Sequence, residues 1–245
     1  MLLYKYLSLA STIVVLKNKT FKISNANKLN DIFEFKPIIN INEYGSKMNL
    51  GLLEQFKIKD QIIKKASKHA ATRFCLCFSA TNDDLLMWSH YSDSYKGIVL
   101  EFESTSLFPE DVKYEMKPVS YRTKKQIIQN PKRNIKEIQE SLFIKPKCWS
   151  YEEEIRFIIK NKDTKKQDFT FVQFNQNSLK SIIIGPRIIE NDYELLAKFI
   201  ISYENNYKKT CISKCIISNK EYKLIIEHSS SNLIDSIVGL KEPDA

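Results

Sequence analysis

The chain has 245 residues, 43% of them hydrophobic and 27% charged, enough for a sizeable core and unlike a collagenous or disordered sequence. Its net charge of +9 favours polyanionic partners such as nucleic acid, although a composition rich in lysine, asparagine and isoleucine also produces such a surplus. The five glycines, at 45, 51, 97, 185 and 239, are too scattered for a phosphate loop or a dinucleotide fingerprint.

Residues 2–6 read as a short strand, and Ser8 as the N-cap of a helix reaching about Leu16 and closed near Asn18. The apolar stretch from Leu7 to Leu16 runs on into Lys-Asn-Lys-Thr-Phe-Lys-Ile-Ser, without the small-residue cleavage site of a secretory leader. No stretch approaches the ~20 apolar residues of a membrane span, so a cytoplasmic protein without membrane contact is expected. Residues 21–24 form a second strand, and the Asn-rich passage to Glu34 is ambiguous between loop and helix start. Apolar positions 52, 53, 56, 62, 63 and 66 predict an amphipathic helix, or two, over 50–71. The apolar run at 73–79 suits a buried strand, Asn82 or Asp83 caps a helix to about Tyr91, and a strand occupies 97–102. Residues 122–147 carry eight Lys or Arg against two acids, with apolar positions 127, 128, 135, 138 and 142, and predict a helix with a basic outer face. Residues 155–160 and 169–174 read as a hairpin about a turn at 161–167. A strand at 181–185, a helix over about 192–203 and a last strand near 222–227 complete the pattern. Strands and helices mix without strict alternation, so the expected class is α+β, a single domain over 1–245 with its core in about 1–203 and a mobile tail.

Five cysteines without a Cys-x-x-Cys pair indicate a reducing compartment, and three scattered histidines leave no expected metal site. Cys75 and Cys77, within an apolar run, read as inert core thiols. Two constellations stand out. In Trp149-Ser150-Tyr151-Glu152-Glu153-Glu154-Ile155-Arg156, a strand starting at Glu152 would point Glu152, Glu154 and Arg156 to one face. Two carboxylates buried together raise at least one pKa, and the arginine offsets that cost. The plain alternative is a solvated strand edge. The second constellation is Ser79 at a strand end, followed by Trp88-Ser89-His90-Tyr91 on a helix and by Lys96-Gly97. Its hydroxyls and aromatic faces suit a flat heterocycle, with ordinary core packing as the alternative.

Taken together, Leu3-Tyr4-Lys5-Tyr6, Asn30-Asp31 with Phe33-Glu34, Cys77-Phe78-Ser79, Met87-Trp88-Ser89-His90-Tyr91, Lys96-Gly97, Trp149 with Glu152 to Arg156, and Ile184-Gly185-Pro186-Arg187 resemble a bacterial family catalogued as domain of unknown function 2971. More distantly, the order of segments is similar to the ADP-ribosyltransferase fold. In that fold a first strand ends in a residue that grips NAD, a Phe-Ser or Phe-Ala strand end leads to a helix bearing Ser and Tyr, and a glutamate opens a late apolar strand. The resemblance implies a split mixed or antiparallel sheet with flanking helices, NAD as co-substrate and transfer of ADP-ribose to a nucleic-acid or protein acceptor. It assigns Glu154 to the ribose, Glu152 to the incoming nucleophile's proton, and Tyr91 or Trp88 to stacking on nicotinamide. Ser79 and His90 would join them, and Lys5 with Tyr6 would reach the adenosine ribose or the phosphates. Lys5-Tyr6 departs from the family's His or Arg followed by a small residue, and Leu7 stands where the unknown-function family usually has Arg. A toxin or phage-defence effector is the implied role, with an antidote or sensor protein as partner and basic faces at 57–73 and 122–147 for nucleic acid. The alternatives are a non-catalytic nucleic-acid-binding module and, third, a nuclease holding magnesium on Glu152 and Glu154.

Overall fold

The computed structural model describes residues 1–29, 31–129, 134–160, 167–202 and 210–228. In chain order the elements are β1 (Leu2–Leu7), α1 (Leu9–Asn18), β2 (Thr20–Asn25), β3 (Ile38–Ile39), α2 (Asn42–Lys47), α3 (Leu52–Ala71), β4 (Arg73–Ser79), α4 (Leu85–Tyr91) and β5 (Ile98–Glu103). They continue with β6 (Tyr114–Pro118), β7 (Ser120–Arg122), β8 (Ile127–Ile128), α5 (Asn134–Ser141), β9 (Ile144–Pro146) and β10 (Glu154–Lys160). The last are β11 (Phe169–Gln173), β12 (Leu179–Ile184), α6 (Glu190–Ser202), β13 (Cys211–Ile217) and β14 (Leu224–His228). The class is α+β, with a large, mostly antiparallel mixed sheet.

That sheet divides at β4. One edge of β4 pairs along its whole length with β10, from Glu154↔Ser79 to Lys160↔Arg73. The other edge meets β2 only at Ser24↔Cys75 and Asn25↔Phe74, and β1 only at Tyr4↔Ser79. One half therefore runs β6-β10-β4-β2-β11 and the other β1-β5-β12-β13-β14, with β12–β13 the parallel pair. Between the two partial pairings, residues 76–78 of β4 lack a ladder partner on that edge among the described residues. Lys5 fills the gap, its Nζ donating to the Cys77 carbonyl at 2.8 Å.

Alternation decides what faces the cavity described below. Phe74, Leu76 and Phe78 of β4 and Ile155 and Phe157 of β10 join the main core, which α1 and α6 cover. Cys77, Ser79, Glu154 and Arg156 therefore project from the opposite face. At the other end, Gly97 and Gly185 bring strand ends into backbone contact: the Gly185 N–H donates to the Gly97 carbonyl at 3.0 Å, and a Cβ on Gly185 would lie 2.3 Å from the Tyr95 carbonyl oxygen. Asp93, Ser94 and Tyr95, all left-handed, form the loop that packs there. The Gly185-Pro186-Arg187 motif thus closes a strand junction.

Several sequence expectations change. Residues 155–160 and 169–174 are strands but not a hairpin, since β10 joins β4 and β6 while β11 joins β2. Their connection at 161–166 lies outside the described residues, as do Asn30, Tyr203 and the tail from 229. Among the described residues of the basic stretch only 134–141 are α-helical, while Ile127–Ile128 pair with Ile38–Ile39 and 144–146 with 120–122 as short strands. Asp84, not Asn82 or Asp83, caps α4 by accepting from the Met87 N–H at 2.9 Å. The helix over 50–71 is a single one, α3, but Leu52, Leu53, Phe56 and Ile63 are exposed while Ile62 and Ala70 carry its packing. Residues 210–228 hold two strands, β13 and β14, of which sequence reading anticipated one. Among the described residues, no helix is long and apolar enough to cross a membrane.

Candidate active site

A cavity of about 120 Å³ opens where β1, the C-terminal end of β4 and the start of β10 meet. Its walls include Tyr4, Lys5, Tyr6, Cys77, Ser79, Met87, Tyr91, Glu152, Glu154 and Arg156, joined by Glu34 and Lys145. The β4–β10 register supplies the floor, with Glu154 beside Ser79 and Arg156 beside Cys77. Strand β10 begins at Glu154, not Glu152: residues 147–152 form a 3₁₀ helix, and Glu153 takes a left-handed conformation at φ 41°. That bend, rather than strand alternation, turns Glu152 back toward the cavity. The Glu154 N–H donates to the Tyr121 hydroxyl at 2.8 Å, which fixes the first residue of the strand.

The charged groups form one buried network. Arg156, 1% exposed, donates from Nε to Glu154 Oε1 at 2.7 Å and from Nη2 to Glu154 Oε2 at 2.9 Å. Its remaining donors reach Glu34 Oε1 at 2.5 Å and the Leu142 carbonyl at 2.7 Å. Lys145 donates to Glu152 Oε2 at 2.5 Å and to Glu154 Oε2 at 3.3 Å. The Tyr91 hydroxyl donates to Glu152 Oε1 at 2.7 Å. Three carboxylates thus face two cations, leaving one negative charge in surplus if all are ionised; Lys5 is the nearby third cation, and burial pulls its pKa down.

These surroundings push the two cavity glutamates apart. Burial raises Glu154, but the Arg156 charge and hydrogen bonds, with Lys145 and the Cys77 thiol, outweigh it and bring the carboxyl to about 2. Burial also raises Glu152, and there it prevails over the Lys145 and Tyr91 bonds. Lys145 is held well above its ordinary value: burial opposes its charge, but Glu154, Glu34 and Glu152 overcome that. Burial pushes the Cys75 thiol up to about 12 and the Cys77 thiol well up, so neither is a thiolate nucleophile at neutral pH.

Of the residues singled out from the sequence, Glu152, Glu154, Arg156, Lys5, Tyr6, Ser79 and Tyr91 converge on this cavity. Trp88 does not. It is fully buried in the core, its ring edge-to-face with Tyr6 at 5.5 Å and its Nε1–H donating to the Asn82 carbonyl at 2.7 Å, so of the two rings expected to stack only Tyr91 lines the cavity. His90 points away, its Nδ1 3.0 Å from the Tyr151 hydroxyl. Trp149 covers the network from outside, with Lys145 Nζ 5.1 Å from its ring centroid. Asp31 builds the turn that presents Glu34, its Oδ1 accepting from the Phe33 N–H at 2.8 Å; Asn30 lies outside the described residues. Sequence reasoning missed Glu34, Lys145 and Tyr121 as site residues. Glu34 stood in a motif already noticed, whereas Lys145 was hidden among the many lysines of a stretch read as a solvated helix.

The stretch from α4 to β10 carries most of these groups. Residues 87–157 match a family described as a protein of unknown function (DUF2971). The DUF2971 segment contains Tyr91, Tyr121, Lys145, Glu152, Glu154 and Arg156, while Lys5, Glu34 and Ser79 come from outside it. Nothing among curated proteins or solved structures matches the chain, so the resemblance to ADP-ribosyltransferases has no support from a neighbour.

Proposed function

We propose that this cavity cleaves the nicotinamide–ribose bond of NAD and passes ADP-ribose to an acceptor, the chemistry of an ADP-ribosyltransferase-like toxin or phage-defence effector. One observation carries the reading: two glutamates share a cavity whose surroundings drive their pKa values in opposite directions, which sorts them into two roles. Glu154 stays ionised at every physiological pH and faces the positive charge that develops on the ribose as the C1′–N bond lengthens. The electron pair of that bond leaves with nicotinamide. The acceptor's nucleophile then bonds to C1′ and loses its proton to Glu152, whose raised pKa makes it the stronger base of the pair. Lys5 and Ser79 supply donors from the first strand and the Phe-Ser strand end, and the Tyr91 ring lines the pocket. The cavity is smaller than the roughly 300–1,000 Å³ of a complete ligand site, so it suits the ribose or the nicotinamide ring, with the rest of the dinucleotide outside. Against a magnesium-dependent nuclease stands the pairing of Glu154 with Arg156 and Lys145: a metal ion would have to displace two cations.

The test is release of nicotinamide from NAD by the purified chain, with cell extract or nucleic acid added as acceptor. Release that Glu154→Gln lowers by about 10²–10³-fold supports the assignment. Equal release from both proteins removes Glu154 from the chemistry, and no release under any condition leaves the non-catalytic module as the better reading.

A further inference from the structure

Next to the acidic cavity lies a second one of about 200 Å³, and the two share Lys145. Its walls are Phe33, residues 35–37 and residues 122–126, with Ser141, Ile144 and Pro146 behind, and it opens on a wider cleft bordered by Tyr121, Ile127 and Lys147. The two short parallel pairings that broke up the expected basic helix build it. The β3–β8 pair sets 33–37 beside 122–126, with the Ile38 N–H donating to the Gln126 carbonyl at 2.8 Å. The β7–β9 pair sets Arg122 opposite Pro146, next to Lys145.

The lining chemistry is one-sided. Lys36, Arg122, Lys124, Lys125, Lys145 and Lys147 border the cavity and its cleft, and no carboxylate among the described residues does. Lys36, Arg122, Lys124 and Lys125 are exposed and form no ion pair among the described residues. Phe33, 50% exposed, stands at the rim with Lys125 Nζ 4.9 Å from its ring centroid. Gln126 adds a buried amide oxygen without a partner among the described residues. Cations that track a backbone, an aromatic face for a base and an unsatisfied acceptor for a base amino group are the parts of a single-strand nucleic-acid site.

We propose that this groove binds single-stranded nucleic acid, with Lys36, Arg122, Lys124 and Lys125 on phosphates and Phe33 stacked on a base. Binding stands on the groove alone. That the strand is also the ADP-ribose acceptor rests on the reading of the neighbouring cavity, which Lys145 joins to this one. The test omits NAD, so its outcome is independent of turnover. Fluorescein-labelled oligo-dT and oligo-rU 12-mers, and a 12-bp duplex, are titrated by anisotropy over a salt series. Wild type is expected to prefer the single strands, with log affinity falling by roughly 0.7 per phosphate contact for each unit of log salt. Replacing Lys36, Arg122, Lys124 and Lys125 together by Ala flattens that slope by up to about 3. Phe33→Ala weakens the single strands roughly 5–150-fold and leaves the duplex unchanged. A control with Lys57, Lys59, Lys65 and Lys68 of α3 replaced by Ala retains binding. Undetectable wild-type binding at low salt, equal loss in the α3 control, or a duplex bound as tightly as the single strands with Phe33→Ala silent would each overturn the proposal.

Discussion

Lys145 lies on the wall of two cavities that handle charge in opposite ways. On one side Glu34, Glu152, Glu154 and Arg156 are buried and each is bound to an opposite charge. On the other, Lys36, Arg122, Lys124 and Lys125 stand in solvent with no carboxylate among the described residues on their wall. The difference follows from solvation. A buried ion costs several kcal/mol unless paired, so the inner cluster must satisfy itself to exist at all, whereas exposed cations are already hydrated and can exchange water for a ligand. The inner cluster is thus both structure and candidate chemistry, while the outer groove is available for binding without being needed for folding.

That contrast breaks most directly at Arg156. Arg156→Met leaves Glu34 and Glu154 buried without their guanidinium and is expected to cost about 3–5 kcal/mol of stability by urea unfolding. Next is acid. The Glu154 carboxyl ionises at about 2 in the folded chain against an ordinary 4.5, so its contribution is complete above about 4.5 and is lost as pH falls toward 2. The gap of about 2.5 pH units corresponds to roughly 3 kcal/mol, and the stability difference between wild type and Glu154→Gln should shrink over that interval. Activity sharpens the comparison further. Because Glu152 is raised, the proposed ADP-ribose transfer should fall with acid at a higher pH than an ordinary carboxylate would set, and Glu152→Gln should lose that limb of the profile together with about 10²-fold or more in rate. The smallest effect belongs to the groove: Lys124→Ala should change unfolding free energy by less than about 0.5 kcal/mol. A stability loss there comparable to that of Arg156→Met would erase the distinction between the two regions.

How much of this could be read along the chain varies by residue. Arg73 to Ser79 and Ile155 to Lys160 are legible as buried strands because their apolar content is continuous, and Ser8 because an N-cap is a local device, its Oγ accepting from the Ser11 N–H at 3.2 Å. The grouping of Glu152, Glu154 and Arg156 is legible too, though for a different reason from the one that holds: Glu153 bends left-handed where strand alternation was expected. Lys145 and Glu34 could not be placed in this way. One lysine among many carries no local signal, and Glu34 meets Arg156 across 122 residues of sequence. Leu52, Leu53 and Phe56 mislead in the other direction, since helical spacing announces an apolar stripe and cannot tell whether anything covers it.

By itself the sequence determined the α+β class, most of the strands and the residue types gathered at the acidic cavity, because propensity, capping and apolar runs act over a few neighbours. The tertiary structure alone decided that β4 divides the sheet, that Trp88 belongs to the core, and that a stretch read as one basic helix keeps only α5 and adds two short strand pairings that border a groove. Those outcomes depend on which distant backbone groups find hydrogen-bond partners and which charges can be neutralised on burial, and that is settled only when segments far apart in the chain meet.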